Sequence, residues 1–76
     1  MRRLVGRNVR RLRTAAGLTQ AALADKMGVD RAYVSGLELG QRNVTILSLW
    51  QVAEALKAEM GSFFQKAAST TRKNAP

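Results

Sequence analysis

Val5, Val9, Leu12 and Ala16 recur at steps of four, three and four, a spacing that lines one stripe of an α-helix. The stripe ends at Gly17, a residue type that closes helices in the left-handed conformation. Thr19 is a good N-cap for a second, short helix, in which Ala21, Leu23, Ala24 and Met27 are small or apolar until Gly28 stops it. Asp30 stands where a third helix needs a cap, with Val34 and Leu37 facing inward, Gly40 as the stop and Val29 plugging the core between helices. Thr45 caps a fourth, whose stripe is Ile46, Leu49, Val52, Ala53 and Leu56, and Met60, Phe63 and Phe64 indicate a short fifth. Nothing alternates with the period of a strand for long, and no Asn-Gly or Asp-Gly hairpin turn is present. The pattern predicts an all-α domain over residues 1–64 and a flexible tail over 65–76, where Lys, Ser, Thr, Asn and Ala follow no period.

Size and composition narrow what such a domain does. A chain of 76 residues has room for one small core and buries only about 60% of its unfolded surface. It contains no Cys and no His, so disulfides and the usual metal ligands are absent and oligomerisation is the remaining common support. Lys and Arg number 13 against 5 Asp and Glu, a net charge of +8, which points to a polyanion, nucleic acid first and a membrane surface second. Arg2, Arg3, Arg7, Arg10, Arg11 and Arg13 concentrate that charge at the start.

A membrane-surface helix is disfavoured because Val5, Val9, Leu12 and Ala16 are needed to close the core, leaving no Trp or Phe to insert. No apolar run approaches the roughly 20 residues of a bilayer span, and no signal segment follows the arginines. A cytoplasmic protein is expected. Catalysis needs a nucleophile with a base, or paired carboxylates in a cleft. Asp25, Asp30, Glu38, Glu54 and Glu59 are scattered instead, so we expect no enzyme, metal or cofactor.

Two short helices joined across Met27-Gly28-Val29-Asp30 fit a helix-turn-helix, the second helix entering the major groove of double-stranded DNA. Leu18-Thr19-Gln20, Leu23-Ala24, Gly28-Val29, Glu38 with Gly40, Arg42-Asn43 with Thr45, and Ala53 with Leu56 resemble the phage repressor, Cro and XRE helix-turn-helix family. More narrowly, Asp30-Arg31, Tyr33-Val34-Ser35, Glu38 and Arg42-Asn43-Val44-Thr45 are similar to restriction-modification controller proteins. The resemblance implies a compact five-helix, lambda-repressor-like domain with the helix-turn-helix at helices two and three.

It also implies roles for residues. Arg31 stands where family members contact base edges, and its planar fork suits guanine; the alternative is a solvated side chain paired with Asp30. Ala32, Tyr33 and Ser35 are the other groove-facing candidates, Ala32 for a thymine methyl, Tyr33 either for a hydroxyl contact or for packing on helix four. Gly36 departs from the longer polar residue some repressors carry. Thr19 and Gln20 match the family's phosphate clamp at the start of helix two, and Arg42, Asn43 and Thr45 match its second clamp. For Asn43 and Thr45, local turn and capping bonds are the equal alternative. Glu38 is unsuited to DNA, since phosphate repels it; the resemblance pairs it with Arg13 in a structural salt bridge.

A lone helix-turn-helix reads few base pairs, whereas a homodimer matches palindromic half-sites about 34 Å apart. Leu47, Trp50 and Phe64 are surplus apolar residues for that interface, Trp50 serving either as an anchor or as a cover for the core. Lys57 replaces the Gly that often ends helix four in the family, so that the helix either runs on or strains there, with Gly61 as a substitute turn. The expected function is a sequence-specific transcriptional regulator without a small-molecule ligand; the alternative is an antitoxin-type DNA-binding protein that also holds a toxin.

Overall fold

In the computed structural model, which describes residues 2–65, Val5, Val9, Leu23, Val34, Val52 and Phe63 lose all contact with solvent and Leu37 nearly all. They come from every element: α1 (Arg2–Ala15), α2 (Gln20–Met27), α3 (Arg31–Glu38), α4 (Ile46–Leu56) and a 3₁₀ turn, η1 (Met60–Phe64). Among the described residues the fold is thus all-helical, with four α-helices and not the five expected. Met60, Phe63 and Phe64 do belong to a helical turn, but only five residues long and closed by the i→i+3 bond from Ser62 N–H to Glu59 O at 3.0 Å; tight helices of this kind are stable only in short pieces. The tail expected over 65–76 lies outside the described residues apart from Gln65.

Local chemistry sets most boundaries. Thr19 Oγ1 accepts from Ala22 N–H at 3.0 Å, and Thr45 Oγ1 accepts from Ser48 N–H at 3.0 Å while Ser48 Oγ accepts from Thr45 N–H, a reciprocal box that satisfies two otherwise orphaned donors. Asp30 occupies the N-cap position of α3, but its carboxylate makes no capping bond. At the other end of α4, Lys57 takes the left-handed conformation, φ 55°, so the helix stops there despite the missing Gly, and Ala58 N–H reaches back to Ala53 O at 3.0 Å.

Two stripe assignments shift. Ala16 lies beyond α1 and is exposed, because the chain has already turned toward α2. Ile46, counted as core, is 75% exposed. It shares the side of α4 that carries Leu49 and Ala53, but it stands at the first residue of the helix, beyond the part that the core covers.

Asn8 is buried on α1, and its Nδ2 donates to Phe63 O and Gln65 O, both at 2.7 Å, while its Oδ1 accepts from Arg11. This side chain ties η1 and the residue after it to the first helix. Replacing Asn8 by Ala strands a buried carbonyl and should lower stability by about 1–3 kcal/mol, read as a shift of the urea midpoint. An unchanged midpoint would mean that packing of Phe63 alone holds the turn.

No helix among the described residues is long and apolar enough to cross a membrane.

Candidate nucleic-acid interface

The turn between α2 and α3 depends on Gly28, whose φ of 74° is one that side chains disfavour. Its N–H, and that of Val29, return to Ala24 O, so α2 is closed while the chain reverses into α3. Val29 packs at the edge of the core. Val34, Leu37 and Glu38 then bury the inner side of α3, leaving Arg31 and Ala32 exposed and Tyr33, Ser35 and Gly36 half-buried on the outer side. With Arg42 and Asn43 from the α3–α4 loop, these residues line one open groove. The structure therefore brings the base-contact candidates Arg31, Ala32, Tyr33 and Ser35 together on one surface.

A continuous hydrogen-bond relay runs beneath it. Arg13 Nε and Nη2 donate to Glu38 Oε2 and Oε1 at 2.6 and 3.1 Å, and Arg13 Nη1 donates to Leu18 O at 2.9 Å. Both side chains are nearly buried, 11% and 4% exposed. The hydrogen bond to Glu38, with its negative charge, holds the Arg13 guanidinium above its ordinary pKa although burial acts the other way. Glu38 Oε1 also accepts from Gln20 Nε2 at 3.0 Å, and Gln20 Oε1 accepts from Arg31 Nη1 at 3.1 Å. Arg31 is thus tethered to the interior through Gln20, a partner the sequence did not point to. Asp30, its expected alternative partner, forms no ion pair with it among the described residues.

Arg42 is exposed, but its side chain folds back along the protein surface. Its guanidinium lies 5.0 Å from the centre of the Tyr33 ring, a cation–π distance, and its stem crosses Gly36, where an added Cβ would stand 3.1 Å from Arg42 Cγ. The short residue at position 36 makes room for Arg42. Tyr33 meanwhile packs its inner side on the core. Asn43 Oδ1 accepts from Arg2 Nη1 at 3.1 Å, which brings the first turn of α1 to this loop. The hydroxyls of Thr19 and Thr45 are engaged in capping, and neither residue lines the groove.

Leu47, Trp50 and Phe64 are 64%, 52% and 40% exposed, away from the core, and Ile46 joins them. Sequence reasoning missed Gly6, Asn8 and the bridging role of Gln20. Gly6 had a signal, since a glycine inside a helix lowers helix stability and marks close backbone approach when retained. The other two had none, because the partners they join across elements are 11 to 57 residues away.

Comparison with known proteins agrees with this geometry. The helix-turn-helix family profile matches residues 9–63. An uncharacterized HTH-type transcriptional regulator of Sinorhizobium fredii is 46% identical over 56 residues, 74% of this chain and 73% of that protein. The restriction-modification controller protein C.AhdI from Aeromonas hydrophila superposes with a TM-score of 0.76 at 47% identity, covering 79% of this chain and 87% of its own. The controller protein C.Esp1396I, solved as a tetramer with its natural 35 base-pair operator, gives a TM-score of 0.74 at 37% identity, with 82% of each chain covered.

Proposed function

Because this chain belongs to the helix-turn-helix family of XRE and phage-repressor type, close to the restriction-modification controllers, and is a DNA-binding transcriptional regulator of that kind, we propose that it binds a palindromic operator as a homodimer, with α3 in the major groove. The observation that carries this reading is the tethered, outward-facing Arg31 on a helix whose outer side, Tyr33 apart, carries only the short Ala32, Ser35 and Gly36. Short neighbours let a helix sit deep enough for one long fork to reach guanine O6 and N7. Tethering through Gln20 reduces the freedom Arg31 loses on binding.

Gln20, at the amino end of α2, and Arg42 and Asn43, after α3, flank Arg31 and are suited to fix its register on the phosphates. Thr19 and Thr45 contribute through the helix starts they hold. The exposed Ile46, Leu47, Trp50 and Phe64 supply apolar surface for a second copy, and C.Esp1396I is a tetramer on its operator. The activity is binding without a catalytic step, exerted where the genome is, in the cytoplasm.

Operator fragments selected from a random duplex pool test the reading. The wild-type protein should retain one palindromic sequence and sediment as a dimer. Arg31→Ala should relax the preference at one base pair per half-site, by about 1–3 kcal/mol, while leaving the remaining positions selective. Affinity that ignores sequence throughout would reduce the protein to a non-specific polycation.

A further inference from the structure

Among the described residues, α1 carries six arginines in fourteen positions and no carboxylate. All five acidic residues of the chain come later, from Asp25 onward. Only Arg13 finds an ion pair among the described residues. Gly6 and Arg13 mark the side of α1 turned toward α3, where a Cβ on Gly6 would meet the Leu37 and Glu38 carbonyls. At 3.6 residues per turn, the next arc of about 100° holds Arg10, Arg3, Arg7 and Arg11, and all four are exposed. Arg11 bonds to neutral Asn8 and Gln65; among the described residues, Arg3, Arg7 and Arg10 have no side-chain partner.

This arrangement works against the free protein. Arg3 and Arg7, Arg7 and Arg11, and Arg7 and Arg10 are like charges at helix-neighbour spacing, and Arg2 and Arg3 occupy the first turn, the end of the helix dipole that repels cations. The face is also continuous with the candidate interface: Arg2 reaches Asn43, and Arg3 packs where a Cβ on Gly40 would stand 2.9 Å from its Cγ. Since α1 runs past the carboxyl end of α3, Arg2 and Arg3 border that end of the reading surface, and Arg7 and Arg10 continue the charge along α1 from there.

We propose that the outer face of α1, centred on Arg7 and Arg10, is a second DNA-backbone surface that takes phosphates flanking each half-site. This rests on the DNA-reading role of α3 and extends it: α3 supplies sequence, and α1 supplies affinity that grows with duplex length. The occupant is DNA and not lipid, because the arc offers charge without apolar side chains to insert, and because it joins the loop that carries Arg42 and Asn43.

The test uses the full chain, an Arg7→Gln/Arg10→Gln double variant, and two duplexes with one selected operator, one trimmed to the pairs spanned by α3 and the α3–α4 loop, the other extended by about one helical turn on each side. On the extended duplex at low salt the variant should bind about tenfold or more weakly, with a salt slope shallower by roughly 0.9 for each phosphate lost. On the trimmed duplex it should match the wild type, and its melting temperature should hold or rise as repulsion is relieved. Equal binding to both duplexes by both proteins, an equal loss on both, or a lower melting temperature would each overturn the proposal. Failure of the wild type to select any operator would instead strike the reading of α3.

Discussion

Glu38→Ala should lower the unfolding free energy by about 3–5 kcal/mol, the usual consequence of removing one partner from a buried ion pair. Arg13 donates from three nitrogens, two of them to Glu38, and the substitution leaves only the bond to Leu18 O. The charge cannot be shed instead, because a guanidinium stays protonated in proteins even without a partner; in the wild type Glu38 raises the Arg13 pKa further. A cation raised in this way contributes stability that is fully present below the unfolded arginine pKa and lost only as pH rises through the folded one. The loss on removing Glu38 is therefore expected undiminished across the neutral range.

Urea denaturation of the single variant measures the effect, and Arg13→Met/Glu38→Leu supplies the control. An apolar pair of similar volume is often neutral or stabilising, so most of the loss should return in the double variant. A double variant as unstable as the single would show that the site depends on hydrogen bonds beyond the pair. Glu38→Ala also frees Gln20, so residual folded protein should lose operator selectivity at the base pair read by Arg31.

Gly6→Ala should cost about 2–3 kcal/mol, even though alanine favours a helix interior by roughly 1 kcal/mol over glycine. The added Cβ would stand 2.5 Å from the carbonyl oxygens of both Leu37 and Glu38, and 2.9 Å from the Glu38 carbonyl carbon. These are backbone atoms at the end of α3, with no rotamer to change, so α1 and α3 must separate. That separation pulls on the Arg13–Glu38 pair, which lies two turns further along the same side of α1. Thermal melting of Gly6→Ala beside Gly61→Ala distinguishes the close approach from glycine content, since nothing lies within 4 Å of the position a Cβ would take at Gly61. A Gly6→Ala protein as stable as the wild type would mean that the two helices do not approach so closely in solution.

The position of the helix-turn-helix was readable from sequence because its determinants are local. Thr19, Gly28 and Thr45 act on backbone groups within a few residues. Val5 with Val9, Val34 with Leu37, and Leu49 with Val52 follow from periodicity within single helices. The candidate surface was legible to the same extent: consecutive positions on α3 and its following loop place Arg31, Ala32, Ser35 and Arg42 near one another once α3 exists.

Tertiary structure decided the rest. Whether Ile46 is core or surface depends on where η1 and α1 cross α4, and a helical period leaves the edge of an apolar stripe undecided. The five-residue η1 is held from outside by Asn8, so its helix type does not follow from its own residues. Gln20 becomes a link between Glu38 and Arg31 only because α1, α2 and α3 converge there, and Arg42 turns back over Tyr33 because position 36 has no side chain. By itself the sequence determined the starts of α2, α3 and α4, the centres of the apolar stripes, and that charge gathers at one end, since these are set by neighbours along the chain. The partners of Gly6, Asn8, Gln20 and the α1 arginines were decided only when the helices packed, because their contacts join residues that only the crossing of helices brings together.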